Sequence, residues 1–154
     1  MEDRKKLAII VTQGTLDWAY PPFILASTAA ALGYEVQMYF TFYGLQLLKK
    51  NLDLQLTPLG NPAMPVALPV IAQTLPGMQA MVSSMMKAKI KSKGVASVEE
   101  LRDLCIEAEV RMVACQMTID LFDFNKSDLI DEIEFGGAAT FFEFAGQSDV
   151  SLSL

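Results

Sequence analysis

The stretch Leu7-Ala8-Ile9-Ile10-Val11-Thr12 decides the class of fold. An unbroken apolar run of this length reads as a parallel strand covered on both faces, because a half-wetted strand would alternate apolar and polar residues. Gln13-Gly14-Thr15 breaks it. Asp17 or a neighbour then caps a helix that enters through Pro21-Pro22 and runs to about Leu32, ending at Gly33. Glu35-Val36-Gln37-Met38-Tyr39-Phe40 reads as a second strand. A strand–helix–strand unit of this length implies a right-handed crossover, so the two strands lie parallel in one sheet.

The same logic extends along the chain. Gly44 to Lys50 reads as a short helix with basic residues at its C-terminal end, and Leu54 to Thr57 as a short strand. Ser97-Val98-Glu99-Glu100 is a capping box, and the helix it opens turns Leu101, Leu104, Cys105 and Ala108 to the core. Arg111 to Met117 is the next buried strand, followed by a short helix from Thr118 through Phe122. Ile130 to Phe135 is a further strand, Gly136-Gly137 a tight turn, and Ala138 to Ala145 a helix stopped by Gly146. Val150 to Leu154 alternates as an edge strand does. No repeat or domain boundary interrupts the pattern. Residues 1–154 read as one doubly wound α/β domain.

Composition narrows the chemistry. Hydrophobic residues make up 52% of the chain and charged residues 19%, so a partner is expected to cover part of the surface. The net charge of −6 argues against nucleic acid. There is no histidine, which removes Ser-His-Asp and Cys-His catalysis and any imidazole metal ligand. Asp120, Asp123 and Asp128 read as helix caps and solvated surface, so neither a metal nor a cofactor is expected. The N-terminal apolar run is too short for a signal-peptide core, which points to the cytoplasm and to reduced thiols.

From Leu54 to Met86 no charged residue occurs, while five prolines and five methionines do. Proline at this frequency argues against a spanning helix. A contact between protomers or a lid fits better, since methionine suits adaptable apolar surfaces. Lys87, Lys89, Lys91 and Lys93 follow, read as a solvated hinge ending at Gly94. Residues 58–93 are thus taken as an apolar insertion with a Lys-rich hinge.

Ligands of open parallel sheets bind beyond the C-terminal strand ends. The loops Thr12 to Asp17, Cys115 to Asp120 and Phe135 to Ala138 meet there. Cys115 stands at a strand end before a helix start, where amide donors favour a thiolate. Gly14, Thr15, Gln116, Thr118, Gly136 and Gly137 are the expected backbone of an anion-holding pocket. The bland alternative is that Cys115 is a small buried packing residue. Cys105 lies on an apolar helix face, where packing is the simpler role. A static Cys105–Cys115 disulfide is disfavoured, because a helix-to-sheet spacing of roughly 10 Å exceeds the Cα separation of about 7 Å that a disulfide tolerates.

Several segments together resemble the DsrE/DsrF-like family, in particular its branch with an apolar insertion that is often labelled peroxiredoxin-like. They are Leu7 to Asp17, Gly33-Tyr34-Glu35-Val36 leading into Tyr39-Phe40-Thr41-Phe42-Tyr43-Gly44, Val113-Ala114-Cys115-Gln116-Met117-Thr118, and Gly136 to Phe141. The resemblance implies a flavodoxin-like three-layer domain with a mostly parallel central sheet, and homo-oligomeric assembly. It further implies a cysteine, here Cys115, that holds sulfane sulfur as a persulfide or thiosulfonate, with Cys105 as an auxiliary thiol. The expected partners are sulfur-donor and sulfur-acceptor proteins or small sulfane-sulfur compounds. The competing reading is a non-catalytic scaffold, oligomeric or associated with the membrane surface, whose working surface is the apolar segment.

Overall fold

The structure is a computed structural model that describes residues 3–58 and 69–154. Its elements are β1 (Lys6–Val11), α1 (Leu16–Ala31), β2 (Glu35–Phe40), a 3-10 helix (Phe42–Leu48), α2 (Val70–Gln73), α3 (Met78–Ser92) and α4 (Val98–Glu107). There follow β3 (Arg111–Cys115), α5 (Gln116–Leu121), a second 3-10 turn (Lys126–Asp128), β4 (Glu134–Gly136), α6 (Ala138–Ala145) and β5 (Val150–Ser153).

The five strands form one sheet in the order β4-β3-β2-β1-β5, and every pairing is parallel. The chain therefore steps from β1 to β4 in one direction and reverses only once, to place β5 beside β1. In the flavodoxin order the reversal comes after the second strand. The late reversal matters for the layers. Phe40 of β2 meets Phe23 of α1 with ring centroids 6.0 Å apart, whereas its neighbour Tyr39 meets Phe141 of α6 at 5.6 Å. Successive strand residues point to opposite faces. So α1, with α4 packed on it, covers one face and α6 covers the other.

Local differences from the sequence reading have tertiary causes. α1 begins at Leu16, which puts Pro21 and Pro22 inside the helix. Its first turn is held from outside: the Leu16 amide donates to the Gln55 carbonyl at 2.8 Å, and Asp17 accepts from the Thr57 amide and hydroxyl. The Leu54–Thr57 stretch forms no strand, because its polar groups serve that contact and α3; the Leu56 amide donates to Ser83 Oγ at 2.8 Å. β4 is shorter than Ile130 to Phe135, since the Ile130 amide is taken by the Leu48 carbonyl and Leu129 bridges Lys49. Lys87, Lys89 and Lys91 continue α3 rather than forming a hinge, with the last two in the final turn where the helix dipole favours cations. Residues 59–68, with Pro62, Met64 and Pro65 of the apolar segment, lie outside the described residues. The Ser97/Glu100 capping box forms as expected, at 3.1 and 2.7 Å.

Two contacts fix the loops at the C-terminal sheet edge. A Cβ on Gly14 would sit 2.2 Å from the Tyr43 carbonyl oxygen, and one on Gly44 would sit 2.2 Å from that of Val11. The loop after β1 and the 3-10 helix after β2 therefore touch backbone to backbone, which only glycine permits. The far end of that 3-10 helix is pinned by the buried Arg102, which donates to the carbonyls of Leu47 (2.8 Å) and Lys49 (2.6 Å). Among the described residues no helix is long and apolar enough to cross a membrane.

Candidate functional site

Cys115 is the last residue of β3 and the N-cap of α5. The strand ends here because the next residues turn into helix, so the sulfur is delivered to the C-terminal edge of the sheet. In register it lies beside Gly136 of β4. Ala114 pairs with Phe40 on the other side, which brings Thr41, at the end of β2, alongside Cys115. Tyr39 pairs with Val113, two residues before Cys115, so Tyr39 and Cys115 share the face that α6 covers.

Cys115 is only 3% exposed, yet hydroxyl groups stand around it. Thr41 and Thr118 hydroxyls are 3.2 Å apart, and the Phe42 amide donates to Thr118 Oγ1 at 3.0 Å. That amide fixes the Thr118 oxygen as an acceptor, which leaves its proton free to point at a neighbouring acceptor. Burial pushes the Cys115 thiol up. Against it act the Tyr39 hydroxyl, the Thr118 hydroxyl and amide and the Thr41 hydroxyl, and together they leave the thiol below its ordinary 9.0. The neutral thiol makes no cap hydrogen bond to the helix, so the donors act on the ionised form, as expected for a weak sulfur acceptor. Tyr39 moves the opposite way. Burial first, then its bond to Cys115 and the charge there, hold the phenol well above 10.0. Tyr39 therefore remains a proton donor wherever the thiolate exists.

The wall on the β4 side is narrow. A Cβ on Gly136 would lie 2.6 Å from Thr140 Oγ1, so the space a side chain would need there is already filled from α6. Gly137 caps α6, and its amide reaches Thr140 Oγ1 at 3.3 Å. Outside this well, Phe42, Tyr43 and Phe122 form an aromatic rim, with Phe42–Phe122 and Tyr43–Phe122 centroids 6.0 and 5.7 Å apart.

The structure brings together Cys115, Thr118 and Gly136 from the residues expected in the pocket. Gln116 and Gly137 directly follow Cys115 and Gly136 along the chain, whereas Gly14 and Thr15 lie elsewhere. Gly14 packs on the Tyr43 carbonyl, and the Thr15 hydroxyl lies 3.4 Å from that of Thr57. Both follow β1, two strand spacings from β3, roughly 10 Å away laterally. Gln116 turns along α5 to donate to Asp120 at 2.8 Å. Cys105 is 0% exposed, donates its thiol to the Phe23 carbonyl at 3.6 Å, and is pushed up to about 12 by burial. It lies on the α1 side of the sheet and Cys115 on the α6 side, and both are free thiols. Tyr39 and Thr41 escaped the sequence reading. Their signal was present: two hydroxyls at alternate positions on the end of the strand that precedes β3. Among the described residues no group of three or more His, Cys, Asp or Glu could hold a metal ion.

Comparison with known proteins agrees with this architecture. The model of the DsrE/DsrF/DrsH-like family matches residues 3–153. The "Sulfur carrier protein DsrE2" of Allochromatium vinosum is 67% identical over 156 residues, covering 97% of this chain and 98% of that protein. The "Uncharacterized protein YrkE" of Bacillus subtilis is 28% identical, covering 98% of each. The crystal structure of the ychN protein from E. coli has the same fold, with a TM-score of 0.55 at 10% identity over 97% of this chain and 99% of that one. The chain is thus a member of the DsrE/DsrF/DrsH-like family.

Proposed function

We propose that this protein is a cytoplasmic sulfur carrier that holds sulfane sulfur on Cys115, as a persulfide or thiosulfonate, between a donor and an acceptor. The observation that carries the reading is the ring of donors from Tyr39, Thr41 and Thr118, which lowers the thiol although the sulfur is buried. A thiolate is the nucleophile in sulfur transfer and also the group released when an acceptor thiol removes the cargo. The name of the Allochromatium vinosum relative supports the same assignment. Donors and acceptors are small sulfane-sulfur compounds or the thiols of other proteins.

The test is intact mass after exposure to a sulfane-sulfur donor, with Cys115→Ser and Cys105→Ser alongside. Wild type and Cys105→Ser gain sulfur, and Cys115→Ser does not. A Cys115→Ser protein that still gains it, or a wild type that gains none, ends the reading.

A second feature supports assembly. Ile71 is 81% and Met85 65% exposed, and Leu75 and Met81 are exposed with them, on the apolar insertion. Apolar side chains gathered in this way favour burial against another surface, and homo-oligomerisation is the reading we adopt. Sedimentation of wild type against Met81→Glu/Met85→Glu tests it. Equal masses in the two would exclude this face as the contact.

A further inference from the structure

We infer that the cavity between α1, α3 and α4 is a binding site for a small zwitterion with an apolar body, an α-amino acid with an aliphatic side chain. The cavity is separate from the sulfur site. It is walled by α1 on one face of the sheet, whereas Cys115 is on the face that α6 covers.

The space follows from how α3 is tied down. In its first half, Gln79 Nε2 donates to the Leu56 carbonyl and Ser83 Oγ accepts from the Leu56 amide, both at 2.8 Å. Past its end, the Val95 amide returns to the Ile90 carbonyl at 3.1 Å, and Gly94, at φ 71°, turns the chain toward α4. Between these two ties, Lys87, Ile90 and Lys91 stand off from α1 and α4 across a cavity of about 380 Å³. That is room for a small molecule.

Its floor is apolar: Leu16, Leu54 and Val98 line it and are buried. Its walls carry opposite charges. Lys87 and Lys91 stand one turn apart on α3, and Glu99 and Glu100 open α4. These groups do not neutralise one another. Among the described residues Lys87 pairs with Asp53 alone, at 3.8 Å, and Asp53 is 90% exposed; Lys91 has no ion pair. Glu100 Oε2 accepts from the Ser97 amide at 2.7 Å, which leaves its other oxygen and the Glu99 carboxylate for a ligand. The Tyr20 phenol also lines the cavity. Burial first, then the charges of Glu99 and Glu100, raise it above its ordinary 10.0, so it stays a donor.

The charge pattern selects the ligand. A carboxylate alone would satisfy the lysines and meet repulsion from the glutamates, and an amine alone would do the reverse. An amino acid answers both walls, its carboxylate toward Lys87 and Lys91 and its ammonium toward Glu99. Charged donors and acceptors make the stronger hydrogen bonds. An aliphatic side chain then rests on Leu16, Leu54 and Val98, where it leaves water.

The experiment titrates the full chain with L-leucine, 4-methylpentanoate and 3-methylbutylamine and reads the heat of binding. The last two are leucine without its ammonium and leucine without its carboxylate. L-leucine binds at one per chain, and each half-analogue binds at least about tenfold more weakly, the equivalent of one lost hydrogen bond to a charged group. Lys91→Met and Glu99→Gln each weaken L-leucine about tenfold, with circular dichroism unchanged. Equal binding of 4-methylpentanoate would overturn the zwitterion in favour of a plain anion site. Wild-type affinity in both variants would place the ligand elsewhere. No binding of L-leucine at millimolar concentration would leave the cavity a solvent-filled gap and end the inference. None of these results bears on the sulfur-carrier reading, which the Cys115→Ser mass measurement decides.

Discussion

Tyr39 and Cys115 lie on the same face of neighbouring parallel strands, Tyr39 beside Val113 and two residues before the level of the sulfur. The pair shifts in opposite directions, the thiol down and the phenol up. Removing the donor reverses the first shift. In a Cys105→Ala background, Tyr39→Phe is expected to raise the Cys115 pKa by about one unit, the equivalent of one hydrogen bond to a charged group. Thiolate ultraviolet absorption against pH reads it. Coincident titration curves would show that Tyr39 does not act on the sulfur.

Thr118 joins the site to the fold. It is fully buried and accepts from the Phe42 amide, so Thr118→Val removes an acceptor while keeping the shape. A buried amide left unpaired costs about 1–3 kcal/mol. The unfolding free energy should fall by that amount, seen as a lower urea midpoint with the slope unchanged, and the Cys115 pKa should rise in the same protein.

Arg102 works at the opposite end of the 3-10 helix. Arg102→Met leaves the Leu47 and Lys49 carbonyls without their donor and is expected to cost about 2 kcal/mol. Chemical denaturation reads the loss. A variant as stable as wild type would show that those carbonyls find water instead.

Glycines at the sheet edge should divide into two classes. Gly14→Ala drives a Cβ to 2.2 Å from a backbone oxygen and should cost roughly 3 kcal/mol, the upper end for overpacking. Gly137→Ala meets nothing within 4 Å and should stay within about 1 kcal/mol. Thermal melts of the two variants that coincide would contradict the close approach of the two loops.

Cys105 predicts an alkaline weakness. Burial raises its thiol from 9.0 to about 12, so between those values the unfolded chain has lost the proton and the folded one keeps it. Stability is then complete below the unfolded value and falls as pH rises, by about 1.4 kcal/mol per unit within that window. Cys105→Ala should flatten this part of the profile. Parallel profiles for both proteins would assign the alkaline loss to other groups.

Element type was legible wherever residues at short range set it. The apolar runs of β1 and β2, the capping box of α4 and the Ala138–Ala145 helix all follow from local pattern and caps. Elements whose bounds moved answer to remote partners. The start of α1 is held by Gln55 and Thr57, and the start of β4 is delayed by Leu48 and Lys49. The same division runs through the site. That Cys115 stands near a strand end before a helix was readable from its neighbours, although the strand was read through Met117 and α5 opens at Gln116; Gly14 and Thr15, read as its companions, stand on the far side of β2.

Sequence by itself determined that an α/β sheet would carry a cysteine at its C-terminal edge, because burial pattern and capping act over a few residues and leave a local trace. Only the tertiary structure decided which side chains surround the sulfur. Strand order brings Tyr39 and Thr41 beside it, and α6, in the connection that makes the late reversal, closes the well. Those are contacts between residues far apart in the chain, and no local periodicity encodes which strand becomes whose neighbour.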